Sequence, residues 1–391
     1  MRLVASFGAG GVLYLTPMVF HREHFSASAV GLGLALAALS GTIGRFASGA
    51  LLDRGRSCGL PVLLAGLCGV GGDALLLGAT QLPGYIGGQL LLGMAGGLYW
   101  PAVELAVPLC APPLPSARGY ALVRSADAAG VAGGTLAGAL LARLGVLRGI
   151  YLVDITAVLV LVTLLLRRPL PAKGGLRRQS GATIPLSLWL PRLAPLLGLS
   201  LVATAIPALM QSALPLDLVR GGLQRAAQPQ DISALLIGLQ LGLLLLVQWP
   251  VGQALARRPV ARGLGLSLVC FTVGTGLLAL SALSDHGLAV ALLAQLPIAL
   301  GEAAFLPTAT EALVELSPAR HGGLAMALFS QCFALSAFTA PLVSGLLLDA
   351  QGHGVALWSL VALICALSLA LVQPIARLTA GHGPREGSPD G

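Results

Sequence analysis

Five residues stand out among the ionisable ones inside the long apolar runs of the sequence. A charge at the centre of a lipid bilayer costs about 2.5–3.5 kcal/mol on insertion scales, so each is expected to face a partner or a water-filled cavity. Residues of this kind bind protons or hold polar solutes inside membranes, and they are therefore the first candidates for chemistry. They are Asp73, Arg124, Asp127, Asp154 and Glu302.

Four of these residues are candidates for transport or ion coupling: Asp73, Arg124, Asp127 and Glu302. Arg124 and Asp127 are three residues apart, so they share a helix face and can pair, either as a structural ion pair or gate or as coupling groups. Glu302 has no cation nearby in sequence, and a lone carboxyl can bind and release a proton. It is the first choice for proton coupling, against the alternative of a neutral, hydrogen-bonded glutamic acid. Asp73 can equally lie at a helix interface.

The sequence carries no pattern of an enzyme. It has no Gly-rich phosphate loop ending in Lys-Ser or Lys-Thr, and only one lysine in total, so ATP-driven chemistry is not expected. No Ser/His/Asp set, metal-ligand spacing or cofactor motif is present. The six cysteines are scattered through apolar runs and are interpreted as core residues.

The composition shows which elements must position these residues. Hydrophobic residues make up 56% of the 391 residues and charged residues only 10%, against about 25% charged in soluble domains. A span needs about 20 apolar residues. We predict twelve spans, near 3–20, 29–51, 60–80, 84–108, 117–142, 148–167, 194–215, 233–255, 263–283, 288–310, 322–348 and 355–376.

The charge pattern predicts how the chain is organised. A basic connection, 168–192, separates an N-terminal bundle of six helices, 1–167, from a C-terminal one, 193–377, and a polar tail, 378–391, is expected to be disordered. Cations concentrate in alternate short loops, which places both termini in the cytoplasm of a bacterial inner membrane. The net charge of +8 is assigned to these loops rather than to nucleic-acid binding, and a monomer is expected.

The two halves share weak sequence matches at the same helix ranks, which is typical of transporters built from parallel repeats. The matches pair 49–54 with 252–257, 99–101 with 305–307, and 134–138 with 341–345.

The loop after the second span resembles a motif of the major facilitator superfamily. The family pattern is Gly-x-Leu-Ala-Asp-Arg-x-Gly-Arg-Arg, and this chain reads Gly-Ala-Leu-Leu-Asp-Arg-Gly-Arg over 49–56, one residue shorter after the first Arg. The resemblance covers the whole length. It implies an all-α membrane protein with twelve transmembrane helices in two pseudo-symmetric six-helix bundles. It also implies a cytoplasmic latch in which Gly49 allows close helix packing, Asp53 sits against a helix N-terminus, and Arg54, Gly55 and Arg56 form the surface turn.

Two departures bear on the branch of the family. The fifth span has a glycine stripe similar to that of the family's exporters but lacks their proline; it comprises Gly130, Gly133, Gly134 and Gly138. In the fourth span Gln89 stands four residues before Gly93, where many proton-coupled members have an arginine. The drug and metabolite efflux branch is therefore only partly matched.

The resemblance also implies a central cavity lined by the first, fourth, seventh and tenth helices, helped by the second, fifth, eighth and eleventh. The candidates on these helices are Tyr14, Gln89, Trp100, Gln211, Gln240, Phe305 and Gln331. Each glutamine can alternatively form a helix–helix hydrogen bond.

We therefore expect a secondary active transporter that works by alternating access. The favoured function is proton-coupled efflux of a drug-like or metabolic compound, with antiport of protons. The alternatives are a nutrient or metabolite uptake permease and, from another class, a non-transporting membrane sensor or assembly factor. Few fixed charges are available, which favours an amphipathic or weakly polar substrate.

Overall fold

The computed structural model describes residues 1–110, 116–171, 186–255, 258–317 and 322–380. The described chain contains twelve helical segments that are long and apolar enough to span a bilayer, which confirms the predicted spans. The helices are α1 Arg2–Arg22, α2 Ala27–Asp53, α3 Gly59–Gly78, α4 Leu82–Cys110, α5 Ser116–Arg143, α6 Gly149–Arg167, α7 Leu186–Arg220, α8 Gln230–Leu255, α9 Val260–Ser281, α10 Gly287–Leu316, α11 Gly322–Gln351, α12 Val355–Ser368 and α13 Val372–Ala380.

Helix ends depart from the predicted bounds by a few residues in most spans, and α7 and the last span differ in further ways. The seventh, α7, already begins at Leu186, inside the region predicted as a linker. The last span consists of α12 and α13, which a 3₁₀ turn at Leu369–Leu371 joins. The division of the chain into a linker and two domains stays a prediction.

The two halves repeat one packing pattern. In the N-terminal half, α1 packs on α5 and α6, and α4 packs on α2 and α3; in the C-terminal half, α7 packs on α11 and α12, and α10 packs on α8 and α9. Between the halves, α2 meets α11, α5 meets α8, and α1 meets α7. Exchanging the halves reproduces these three contacts, as expected of parallel repeats around an axis along the membrane normal.

The halves approach closely at one end of the bundle, which we call the first-loop end because α1 ends and α2 begins there. There Gln230 donates a hydrogen bond to the Met18 carbonyl at 3.3 Å. Leu136 of α5 would meet a Cβ on Gly238 of α8 at 2.7 Å.

At the opposite end of the bundle, which we call the N-terminal end because α1 begins there, the two halves separate. A groove of about 570 Å³ runs between α2 and α11 and is backed by α7. Phe46 of α2 is 71% exposed, and a Cβ on Gly49 would meet no described atom within 4 Å. No described atom packs against Gly49, although Ser48 and Leu52 beside it are buried, so the close packing predicted at Gly49 stays a prediction.

The glycine stripe of α5 packs against α1, which confirms its predicted role in close helix packing. A Cβ on Gly130 would lie 2.6 Å from the Leu3 carbonyl oxygen, and one on Gly134 would overlap the Phe7 carbonyl oxygen. Small residues at such contacts let two backbones approach, which is how membrane helices gain packing energy without a hydrophobic driving force between them.

Candidate functional site between the halves

Polar side chains from both halves gather near the middle of the molecule. Tyr14 of α1 lies beside Gln211 of α7 and within electrostatic reach of Glu302 of α10. Gln240 of α8 donates a hydrogen bond to Glu302 with an N–O distance of 3.4 Å. We call these four residues the central polar cluster; all four were predicted from sequence, and the structure brings them together.

The carboxyl of Glu302 is the chemical centre of this cluster. Its Oε1 atom is buried and has no hydrogen-bond partner, and the same holds for Oε1 of Gln240, among the residues that the structure describes. Within that part of the chain, no cation forms an ion pair with Glu302. A carboxyl in this setting can accept a proton without breaking an existing ion pair.

An aromatic surface adjoins the cluster along α10. Phe305 lies three residues after Glu302, so the two share a helix face. Its ring centroid is 6.4 Å from that of Phe329 on α11, which in turn lies 5.6 Å from that of Phe333. The site therefore combines hydrogen-bonding groups with an apolar, aromatic wall.

A second charged group lies towards the N-terminal end, inside the N-terminal half. Arg2 pairs with Asp127 at 2.7 Å, and the Ser6 hydroxyl donates to the same carboxylate at 2.5 Å. The Arg2 guanidinium also stacks over Trp100, 3.7 Å from the ring centroid. The side chain of Arg124 lies outside the described residues, so its predicted pairing with Asp127 stays a prediction. Arg2 is a partner of Asp127 that the sequence did not indicate.

The other sequence candidates have different surroundings. Asp73 of α3 is fully buried and lies beside Asp154 of α6, and α3 carries no member of the central polar cluster. Gln89 is buried in α4, with 4% of its surface exposed. Gln331 of α11 lines the groove between α2 and α11.

The loop motif after α2 forms a helix-ending turn. Gly55 adopts φ +76°, a left-handed conformation that favours glycine, and its N–H donates to the Leu52 carbonyl at 3.0 Å. Arg54 and Arg56 are exposed, as predicted. The side chain of Asp53 lies outside the described residues, so its predicted latch contact stays a prediction.

Sequence reasoning missed two functional candidates within the described chain. Arg45 lies inside the predicted second span and faces Glu104 across α2 and α4; the cost of a charge at membrane depth would have identified it. Asp349 of α11 contacts the start of α2, and no local sequence signal indicated that contact.

Comparisons with known proteins identify the same architecture. The family model described as the Major Facilitator Superfamily matches residues 1–222, and no curated protein sequence matches significantly. The nucleoside transporter NupG superposes with a TM-score of 0.74 at 12% identity, over 96% of both chains. A POT family transporter in complex with 5-aminolevulinic acid gives 0.76 at 11%, over 98% of this chain and 94% of that one. Tetrameric PepTSo2 gives 0.75 at 13%, over 97% of both.

Proposed function

Because the chain belongs to the major facilitator superfamily of membrane transporters, we propose that it moves a small molecule by proton-coupled alternating access. The observation that carries this proposal is the central polar cluster, to which helices of both halves contribute. A solute bound there touches both halves at once. Rocking of the halves about that point then exposes the solute to one side of the membrane or the other.

Glu302 is the proposed proton-coupling residue. Its carboxyl lies beside Tyr14 and Gln240 rather than in an ion pair, so protonation changes the charge of the cluster. A solute and a proton can therefore influence each other's binding at one place. Arg124 and Asp127 stay secondary candidates at the N-terminal end, and Asp73 is a candidate inside the N-terminal half.

The proposed substrate is amphipathic or weakly polar. Amide and hydroxyl groups suit hydrogen-bonding parts of a solute, and the neighbouring phenylalanines suit its apolar parts. We propose efflux, by antiport with protons, as the direction. Uptake of a nutrient or metabolite is the alternative, which the nucleoside and POT family transporters of similar fold favour.

We propose that the protein lies in the bacterial inner membrane with both termini in the cytoplasm. The cation-rich loops, among them Arg54 and Arg56, support this orientation. The N-terminal end, where the halves separate, then faces the cytoplasm, and the first-loop end faces outwards.

Transport and coupling are tested together in proteoliposomes. Purified protein is supplied with a metabolite and drug panel under an imposed pH gradient, and flux is compared with that of empty liposomes. We expect Glu302→Gln to fold normally and to lose pH-driven flux to the empty-liposome level, because an amide cannot exchange the coupling proton. Normal pH-driven flux in this variant would remove Glu302 from the mechanism.

Glu311→Gln is the matched control, because Glu311 lies on the same helix but is exposed; its flux should equal that of the unmodified protein. Direction is read separately in a pump-deficient strain. Raised tolerance to a toxic compound supports efflux, whereas increased accumulation of a nutrient supports uptake. A protein that moves no compound but co-purifies with a fixed partner would support the sensor or assembly-factor alternative.

A further inference from the structure

The carboxylate of Asp349 joins the two halves at the first-loop end. Asp349 lies near the end of α11, in the C-terminal half, and its oxygens accept three hydrogen bonds from the start of α2, in the N-terminal half. The Ala27 N–H donates at 2.9 Å, the Ser28 N–H at 2.7 Å, and the Ser28 hydroxyl at 2.5 Å.

These bonds complete the N-terminal cap of α2. The first N–H groups of a helix have no partner within the helix, and the dipole of the helix makes that end attractive to anions. Among the backbone N–H groups, the Ser26 hydroxyl accepts that of Ala29, whereas the N–H groups of Ala27 and Ser28 donate to Asp349. A helix of one half is therefore capped in part by a carboxylate of the other.

Arg220 of α7 holds the carboxylate in this position. Its guanidinium donates to Asp349 at 2.7 Å and to the neighbouring Leu348 carbonyl at 3.1 Å. The Arg220 side chain is 16% exposed and that of Asp349 is 25% exposed. Partial removal from water makes such charged contacts stronger and less sensitive to salt than surface pairs.

The backbones of the two helices touch within the same stretch. A Cβ on Gly345 of α11 would lie 2.5 Å from the Ala27 carbonyl oxygen, and one on Gly31 of α2 would overlap the Pro341 carbonyl oxygen. The backbones of α2 and α11 are already in close contact at this end. Separation of the two helices there must therefore break the Asp349 contacts.

We propose that Asp349 is the gate residue of the first-loop end, and that each transport cycle requires its release from α2. This inference rests on the proposed alternating access. The contacts form only while the first-loop end is closed, so they favour that conformation over the one open at this end. A contact that stabilises one of two conformations shifts their populations by its full differential free energy. Loss of a charge-assisted hydrogen bond should shift the ratio about tenfold towards the opposite conformation.

The test is amide hydrogen exchange on the full chain in nanodiscs, followed by mass spectrometry. In Asp349→Asn we expect faster exchange over the start of α2 and, at the opposite end, slower exchange over 40–50 of α2 and 328–335 of α11. The reciprocal change is the signature of a gate. Faster exchange confined to the start of α2 would show a purely local cap, and unchanged exchange at both ends would likewise overturn the proposal.

Asp285→Asn is the matched control, because it removes the same charge from an exposed position at the same end and should change neither region. Ser28→Ala is a milder second variant, which removes one of the three bonds and should give a smaller change of the same sign. This keeps the proposal testable if Asp349→Asn fails to fold. Hydrogen exchange is measured without a substrate, so the two proposals can fail separately. A protein that shows the reciprocal change but moves no solute would contradict the proposed transport and still support the gate.

Discussion

Asp217 and Arg225 form an ion pair that is almost entirely enclosed at the first-loop end of the C-terminal half. Their side chains are 0% and 1% exposed, with an N–O distance of 3.0 Å. Trp358 of α12 donates to Asp217 at 3.0 Å, and Arg225 donates to Ser281 of α9 at 2.6 Å. The pair thus ties the loop between α7 and α8 to two other helices.

Asp217→Asn should destabilise the protein by about 3–5 kcal/mol, because it leaves the buried Arg225 charge without its counterion. Thermal and chemical unfolding in detergent measure this loss. Asp231→Asn, at the start of α8, is the control and should change stability little. A double Asp217→Asn, Arg225→Gln variant should recover part of the loss, and no recovery would contradict the account.

Single residues also mark the limit of what the sequence could predict. The cost of placing a charge inside the membrane identified Glu302 as a candidate, whereas Tyr14, Gln211 and Gln240 became candidates only through the cavity that the family resemblance implies. Which of them meet depends on helix packing between positions far apart in the chain. The contact of Asp127 with Arg2 and the contact of Asp349 with α2 could not be read from local spacing for the same reason.

At the level of elements, the helices were predictable because hydropathy sums over about 20 residues and tolerates local errors. Their ends were less so: α7 begins at Leu186, within a region read as linker. Packing between elements was predictable only where small residues form a stripe. The glycines of α5 indicated a close neighbour, but the sequence did not identify it as α1.

Gly134→Ala tests this close approach. A Cβ at this position would overlap the Phe7 carbonyl oxygen, so α1 and α5 must move apart, at an expected cost of about 1–3 kcal/mol. Gly96→Ala in α4 is the matched control, because no described atom lies within 4 Å of the added Cβ; helix propensity there favours alanine by about 1 kcal/mol. Equal unfolding temperatures for the two variants would contradict the packing argument.

For the whole molecule, the repeated packing pattern explains how a chain with few charges can build a transporter. Each half is held by its own helix contacts, while the two halves meet through α1 with α7, α2 with α11, and α5 with α8. Contacts between the halves are the ones that must change during alternating access. In the proposed mechanism, transport therefore depends on a small set of residues at that boundary, among them Tyr14 and Asp349.

The orientation of the whole molecule in the membrane gives a final prediction. Twelve spans in the described chain would place both termini on one side, and we propose from the cation-rich loops that this side is the cytoplasm. Single cysteines introduced at Arg56 and at His24, both exposed in loops at opposite ends, are labelled in intact cells with a membrane-impermeant thiol reagent. The native cysteines are first replaced by alanine or serine. We expect labelling at position 24 only, with position 56 labelled after the membrane is permeabilised, because the first-loop end faces outwards in the proposed orientation.

Labelling of position 56 alone in intact cells would show the reverse orientation, in which the separated N-terminal end is the outer one. Labelling of both positions in intact cells would contradict a membrane span between them.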